Sequence, residues 1–281
     1  VVAPGWFERA YGLEYRRLAG QLHHDLIAPL APRLEGKRVL GILASGTLQY
    51  LPFSALLPEG ARSSDFLCRR WACVQLSGLE SLLDLMAYPP GNLQSWCGLG
   101  DPDGSLPFAS QEVQAIAGQF SRPQVYLGAR ARSEVLQFVP PAPEALHLAT
   151  HGYLDSANPR ASYLLMAGSR LRIADIYRLP LADTRLVVLS ACQSGLGEVE
   201  PGSEITSLSD AFRVAGSRAV LASLWKVADE STAELMKSFY RHRPRLGSAG
   251  ALRQAEVELL DCPETSHPFF WAPFVLSGDF R

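Results

Sequence analysis

The sequence predicts an α/β fold, with a mainly parallel central sheet carrying helices on both faces. Three observations lead there. From residue 91 onward, strand-like and helix-like segments alternate, the pattern of a sheet built through helical crossovers. Leu186 to Ser190 is an unbroken apolar run, which marks a strand buried on both faces. Finally, Tyr88-Pro89-Pro90-Gly91-Asn92 stops helix and ladder alike, dividing a smaller N-terminal α/β subdomain over residues 1–90 from a core over residues 91–281.

In chain order, Tyr11, Tyr15, Leu18, Leu22, Leu26 and Leu30 recur at helical steps, predicting an amphipathic helix from Phe7 to Leu30 that ends near Pro29 and Pro32. Two short apolar runs, Arg38 to Leu43 and Thr47 to Phe53, are joined through Ala44-Ser45-Gly46 and predict a β-hairpin. A strand and a helix are expected within Trp71 to Met86. Trp96 to Gly100 reads as a buried strand ending in Asp101-Pro102-Asp103-Gly104, and Ser110 as the start of a helix with Val113, Ile116, Ala117 and Phe120 inside. Strands follow at Gln124 to Leu127 and Ala145 to Thr150, with a helix between them at Ser133 to Val139. Leu208, Ala211, Phe212 and Ala215 make a helix stripe stopped by Gly216, and Ala219 to Trp225 is the next strand. Ser231 with Glu234 predicts a capping box for a helix through Tyr240; a further helix over Ala249 to Leu260 and a strand at Phe274 to Leu276 complete the order.

Composition narrows the function classes. Of 281 residues, 47% are hydrophobic and 19% charged, with 20 Pro and 23 Gly dispersed, which fits an ordered globular chain without repeats or low-complexity stretches. A net charge of −2 supplies no field to draw the protein onto nucleic acid or anionic lipid, so neither is an expected partner. The five cysteines lack the even count and spacing of a disulfide framework and fit a reducing, cytoplasmic setting. No run is long and apolar enough to cross a bilayer. The opening Val1-Val2-Ala3-Pro4-Gly5-Trp6 has neither region of a secretory leader, and its lack of an initiating Met fits a piece of a longer protein.

His151 and Cys192 carry the chemistry. They stand 41 positions apart, yet each falls just beyond the carboxyl end of a predicted central strand, where reactive groups of parallel sheets gather. If the two strands are neighbours, the residues lie side by side. An imidazole beside a thiol can hold it as thiolate or take its proton during attack on a carbonyl, then protonate the leaving amine. The order, with His roughly 50 residues before Cys, is that of caspase-type enzymes. Gly152 lets the chain turn, and its N–H with that of Cys192 would form an oxyanion hole. Gly195, in Cys192-Gln193-Ser194-Gly195-Leu196-Gly197, keeps the surroundings small enough for a peptide substrate. Alternatively, a cysteine after a strand is a small buried hydrophobe and a lone histidine a satisfied polar group.

Other chemistries lack their patterns. Cys68 and Cys73 have no second close pair and His23-His24 cannot face one way on a helix, so no metal and no cofactor is expected. His147 reads as a packed strand residue, and His242 and His267 as surface. There is no phosphate-binding loop of the Walker type and no Gly-x-Ser-x-Gly elbow.

Leu148-Ala149-Thr150-His151-Gly152, Val188 through Gly197, and Ala222-Ser223-Leu224-Trp225-Lys226-Val227-Ala228-Asp229 together resemble the CHAT family, which belongs with caspases and separases among cysteine peptidases. Pro52-Phe53-Ser54-Ala55-Leu56 and His267-Pro268-Phe269-Phe270-Trp271-Ala272-Pro273-Phe274 extend the resemblance over residues 20 to 281. It implies a caspase-like three-layer sandwich, a His151/Cys192 dyad and cleavage of a peptide bond in a protein or peptide substrate. It also implies an N-terminal tetratricopeptide-repeat sensor or activating partner outside this chain, and a role in bacterial defence through a gasdermin-like or CRISPR-associated partner. Ser190 stands at the substrate-binding position where metacaspases carry an acidic selector of basic side chains. Asp229, with Trp225 as pocket wall, would substitute for it by pairing with a basic P1 residue, or else helps cap the following helix. Glu198 to Ser207 reads as a mobile gate beside the nucleophile. The competing expectations are a catalytically silent caspase-like module that binds partners, and a general acyl hydrolase using Cys192.

Overall fold

The computed structural model describes residues 4–61, 65–76, 78, 90–138, 141–153, 155, 158–190, 192–193 and 203–281, with backbone alone for 4–13, 159, 192–193 and 203–207. Its strands are β1 (Val39–Ile42), β2 (Ala72–Gln75), β3 (Trp96–Gly100), β4 (Pro123–Leu127), β5 (Ala145–Ala149), β6 (His151–Tyr153), β7 (Tyr163–Met166), β8 (Ser169–Arg172), β9 (Leu186–Leu189), β10 (Cys192–Gln193), β11 (Ala219–Ser223) and β12 (Phe274–Gly278). Among the described residues the helices longer than one turn are α1 (Pro4–Leu26), α2 (Pro107–Ala117), α3 (Ser203–Val214) and α4 (Asp229–Asp261).

Eight strands form one sheet in the order β1-β2-β12-β11-β9-β5-β3-β4. The run from β11 through β9, β5 and β3 to β4 is parallel throughout, and β12 turns back antiparallel on β11. Alternation along the central strands feeds two cores. Ala145, Ala149, Leu186, Val188, Ala219 and Leu221 face Val113 and Ile116 of α2 and Leu235, Met236 and Phe239 of α4. Leu146, Leu148, Val187, Leu189, Val220 and Ala222 face Leu208, Ala211 and Phe212 of α3. Both sides of Leu186–Leu189 are therefore covered, which is why that run contains no polar residue. This is the three-layer caspase-like α/β architecture. β3 has a local requirement of its own: a Cβ on Gly98 would lie 2.0 Å from the buried Trp96 indole, so only glycine fits there.

The N-terminal part differs from the expected hairpin. Only Val39–Ile42 is extended; Gly46–Tyr50 winds into a 3-10 helix after Gly46 takes a φ of 58°. β1 instead pairs in parallel with β2, Val39 opposite Ala72 through Ile42 opposite Gln75. β2 meets β12 at Gln75 and Ser277, so the segment assigned to a leading subdomain joins the same sheet as the core. The helix placed within Trp71 to Met86 lies largely outside the described residues. α1 ends at Leu26, and Pro29 and Pro32 each enter a short turn of their own.

Three helix starts also differ. α2 begins at Pro107, whose fixed φ suits a first helical position, and Ser110 lies within the helix. The expected helix at Ser133 to Val139 is a 3-10 turn over Ser133–Leu136. The Ser231/Glu234 capping box is absent because α4 starts earlier, at Asp229, and the Ser231 hydroxyl donates to Ala228 O. The two helices expected over this region are both present, separated at Gly247, whose φ of 68° and ψ of 176° are not helical.

Candidate active site

β5 and β9 are paired from Ala145 opposite Leu186 to Leu148 opposite Leu189, a constant offset of 41 residues. Past their carboxyl ends both chains leave the large sheet, at Thr150 and at Ser190, and pair again in a small sheet of order β10-β6-β7-β8. There Cys192 lies opposite His151 and Gln193 opposite Gly152, again offset by 41. The sequence spacing of the two residues is thus the register of two neighbouring strands. The small sheet itself was not legible in advance, although the Ala167-Gly168 turn between β7 and β8, with Gly168 at φ 74°, is a hairpin signal. Buried Thr150 fastens the exit from β5 by donating to Leu165 O at 2.6 Å.

His151 is half-buried. Its Nε2 lies 2.6 Å from Ser105 Oγ, and that hydroxyl contacts Asp103 Oδ1 at 2.7 Å. Its Nδ1 is buried with no hydrogen-bond partner among the described residues. Burial alone would raise the Asp103 carboxyl, but hydrogen bonds from the Ser105 hydroxyl and backbone N–H, with His151 nearby, hold it below its ordinary value. The turn bearing both residues is tightly tied. Asp101 adopts φ 50°, rare for a non-glycine residue, while its carboxylate accepts from Leu106 N at 2.8 Å and Ser110 Oγ at 3.2 Å. Its own N–H donates to Ala149 O, at the end of β5. Sequence reasoning missed Asp103 and Ser105; the signal was Asp101-Pro102-Asp103-Gly104-Ser105, turn residues placed after a parallel strand.

Beneath the strand ends, Glu112 of α2 is fully buried and joins both. Its Oε2 accepts from Ser190 Oγ at 3.1 Å, and its Oε1 lies 2.7 Å from His147 Nε2 without the alignment of a hydrogen bond. Tyr240 OH lies 3.4 Å from His147 Nδ1, and the Trp96 ring sits 5.9 Å away. The expectation that His147 is a packed strand residue fits its zero exposure. Ser190, expected at a substrate-binding position, is 4% exposed and turned toward Glu112.

Asp229 is half-buried at the first residue of α4. Its Oδ2 accepts the N–H of Phe108 at 2.9 Å, so it caps α2, a helix other than the one it begins. Burial raises its carboxyl above the ordinary value, reinforced by Glu112 and Asp101 and opposed by the Phe108 N–H and by His151. Trp225 is directed elsewhere. Its indole N–H donates to Phe269 O at 3.1 Å, and the ring lines an apolar groove of about 360 Å³ with Tyr15, Leu18, Leu22, Pro52 and Phe269. Asp229 and Trp225 therefore have separate surroundings. Gly152 is buried, opposite both Gln193 and Leu164. Gly195, and residues 198–202 of the expected gate, lie outside the described residues; Ser203 onward is α3.

The remaining motif residues are structural. His267, expected at the surface, is half-buried and accepts from Phe269 N at 3.1 Å, capping the turn at Pro268–Phe270. It also meets the Tyr15 ring edge-on at 5.0 Å. His242, likewise expected at the surface, lies 2.6 Å from Glu258 Oε1. Among the described residues no helix is long and apolar enough to cross a membrane.

The sheet, its covering helices and the paired strand ends define a caspase-like α/β protein with a peptidase-type fold. The chain belongs to the CHAT domain family, which matches residues 16–279. Human tetratricopeptide repeat protein 28 is 25% identical over a 299-residue alignment covering 86% of this chain; the chain spans only 12% of that relative's length. Saccharomyces cerevisiae separase, solved in complex with securin, shares the fold at a TM-score of 0.55 and 15% identity, over 82% of this chain and 15% of that one. Porphyromonas gingivalis RgpB, solved as a complex of its pro- and mature domains, does so at 0.60 and 8%, over 96% and 76%. Gingipain R, an Arg-specific cysteine proteinase, matches at 0.62 and 9%, over 97% and 75%.

Proposed function

We propose that this chain is a cysteine endopeptidase acting on a protein substrate through His151 and Cys192. The observation that carries the reading is the Cα pairing of Cys192 with His151 at the carboxyl ends of two adjacent parallel strands. His151 takes the thiol proton, and the Cys192 sulfur attacks the scissile carbonyl carbon. The N–H groups of Gly152 and Cys192 hold the resulting oxyanion. As the C–N bond breaks, the imidazolium gives its proton to the departing amine, leaving a thioester that water hydrolyses with His151 as base.

Asp229 is the selector of a basic P1 side chain. Its carboxylate is half-buried within electrostatic reach of His151, and one structural neighbour, gingipain R, is Arg-specific. Trp225, by its position, belongs to a neighbouring apolar subsite and not to the wall around Asp229. Control comes from a partner or a repeat region of the kind the human relative's name carries. The cysteine usage supports a cytoplasmic setting, and the family resemblance supports a role in bacterial defence. The test is labelling with peptidyl acyloxymethyl ketones varied at P1, with the adduct mapped by mass spectrometry in the parent, Cys192→Ala and His151→Ala. An adduct on Cys192 that requires His151 supports the reading; no adduct with any member of the series favours a silent caspase-like module or a latent protease awaiting its activator.

A further inference from the structure

We infer that Asp103 and Ser105 are positioning residues that fix His151 in the tautomer with its proton on Nε2, so that Nδ1 is the atom that takes the thiol proton. A serine hydroxyl has one proton to donate, and an ionised carboxylate can only accept. Ser105 Oγ lies 2.7 Å from Asp103 Oδ1, so its proton must point there; otherwise two acceptor oxygens would face each other unscreened. The Oγ contact with His151 Nε2 at 2.6 Å then requires the nitrogen to be the donor. In the neutral ring the lone pair is left on Nδ1, the buried nitrogen without a partner among the described residues.

The surroundings reinforce this arrangement. Ser105 N also donates to Asp103 Oδ1, at 3.2 Å, so the carboxylate holds both the backbone and the hydroxyl of the residue it orients. The strained Asp101 turn anchors that pair to the end of β5, one residue from Thr150 and two from His151. When Nδ1 accepts a proton, the ring charge faces Asp103 through Ser105, and among the described residues Asp229, from the start of α4, also bears on the ring. The hydroxyl links a surface carboxylate to a half-buried ring without placing the carboxylate against it.

Only the catalytic consequence rests on the peptidase reading, because the tautomer is a property of the ring. The test is ¹⁵N NMR of histidine-labelled protein carrying Cys192→Ala, which removes any thiolate, recorded at alkaline pH with the ring neutral. The expected result is a protonated Nε2 and an unprotonated Nδ1 for His151, with that preference lost in Ser105→Ala and Asp103→Ala and restored in Ser105→Thr. In the Cys192 parent, Ser105→Ala should lower kcat on the order of 10-fold to 100-fold at little change in KM, below the roughly 10²–10⁴-fold worth of a general base itself. It should also displace the pH profile, which Ser105→Thr restores. A proton on Nδ1 in the parent, or a tautomer indifferent to both substitutions, overturns the inference. A fixed Nε2–H tautomer in a chain whose Cys192 no electrophile labels supports the hydrogen-bond network and counts against the peptidase reading alone.

Discussion

Cys192 lies directly opposite His151 across a two-strand parallel pair, in the same 41-residue register that joins β9 to β5 in the large sheet. The juxtaposition therefore does not depend on a loop finding its place. It continues the ladder of two buried strands, and a one-residue slip would exchange which of the two cores each side chain of Leu186–Leu189 enters.

Removal of either member should abolish peptide-bond cleavage while leaving the fold intact. For His151→Ala the expected loss is at least the roughly 10²–10⁴-fold contribution of a general base. Turnover of a fluorogenic peptide, read beside unchanged circular dichroism, checks it.

Glu112 holds Ser190 and His147 at once, and neither carboxylate oxygen reaches water. Glu112→Ala should cost roughly 1–3 kcal/mol for each buried polar partner it leaves unsatisfied, Ser190 and His147. Glu112→Gln, which keeps the shape, should cost markedly less. Urea melts of the two variants decide; equal and small losses would mean that Glu112 does not hold the strand ends.

Glu256 makes stability depend on pH. Burial pushes its carboxyl from 4.5 up to about 8, against a hydrogen bond from Ser54 in the Pro52 to Leu56 motif. The folded form therefore holds this proton between about 4.5 and 8 while the unfolded form does not. Stability is fully present below the unfolded value and falls as pH rises through that window, by at most about 1.4 kcal/mol per pH unit. Glu256→Gln should flatten this part of the curve, which thermal melts at pH 5 and pH 8 would show. Parallel curves for parent and variant would refute the assignment.

Asp229→Asn separates two roles. The amide can still accept from Phe108 N, so the junction of α2 and α4 should survive and the melting temperature should barely move. Preference for Arg over a neutral P1 residue should fall by roughly 10-fold to 100-fold, the worth of a hydrogen bond to a charged group. Retained preference with a lowered melting temperature would make Asp229 an anchor for α2 only.

By itself the sequence determined the parallel α/β class, the order of the central strands' segments and the candidate dyad. Each of these rests on local chemistry: unbroken apolar runs, turn residues at strand ends, and a histidine and cysteine standing just past two such runs. Tertiary structure alone decided what these pieces pair with. Val39–Ile42 could not announce that Ala72–Gln75 would be its partner, because strand pairing is set by distant backbone and by the helices covering it, not by the intervening residues. For the same reason Ser190 reads in sequence as a position facing substrate and in the fold as a donor to a buried glutamate 78 residues earlier. The Asp103–Ser105–His151 contact was hidden likewise: its members come from the ends of neighbouring strands β3 and β5, and only the close packing of those ends turns two exposed turn residues into partners of an imidazole.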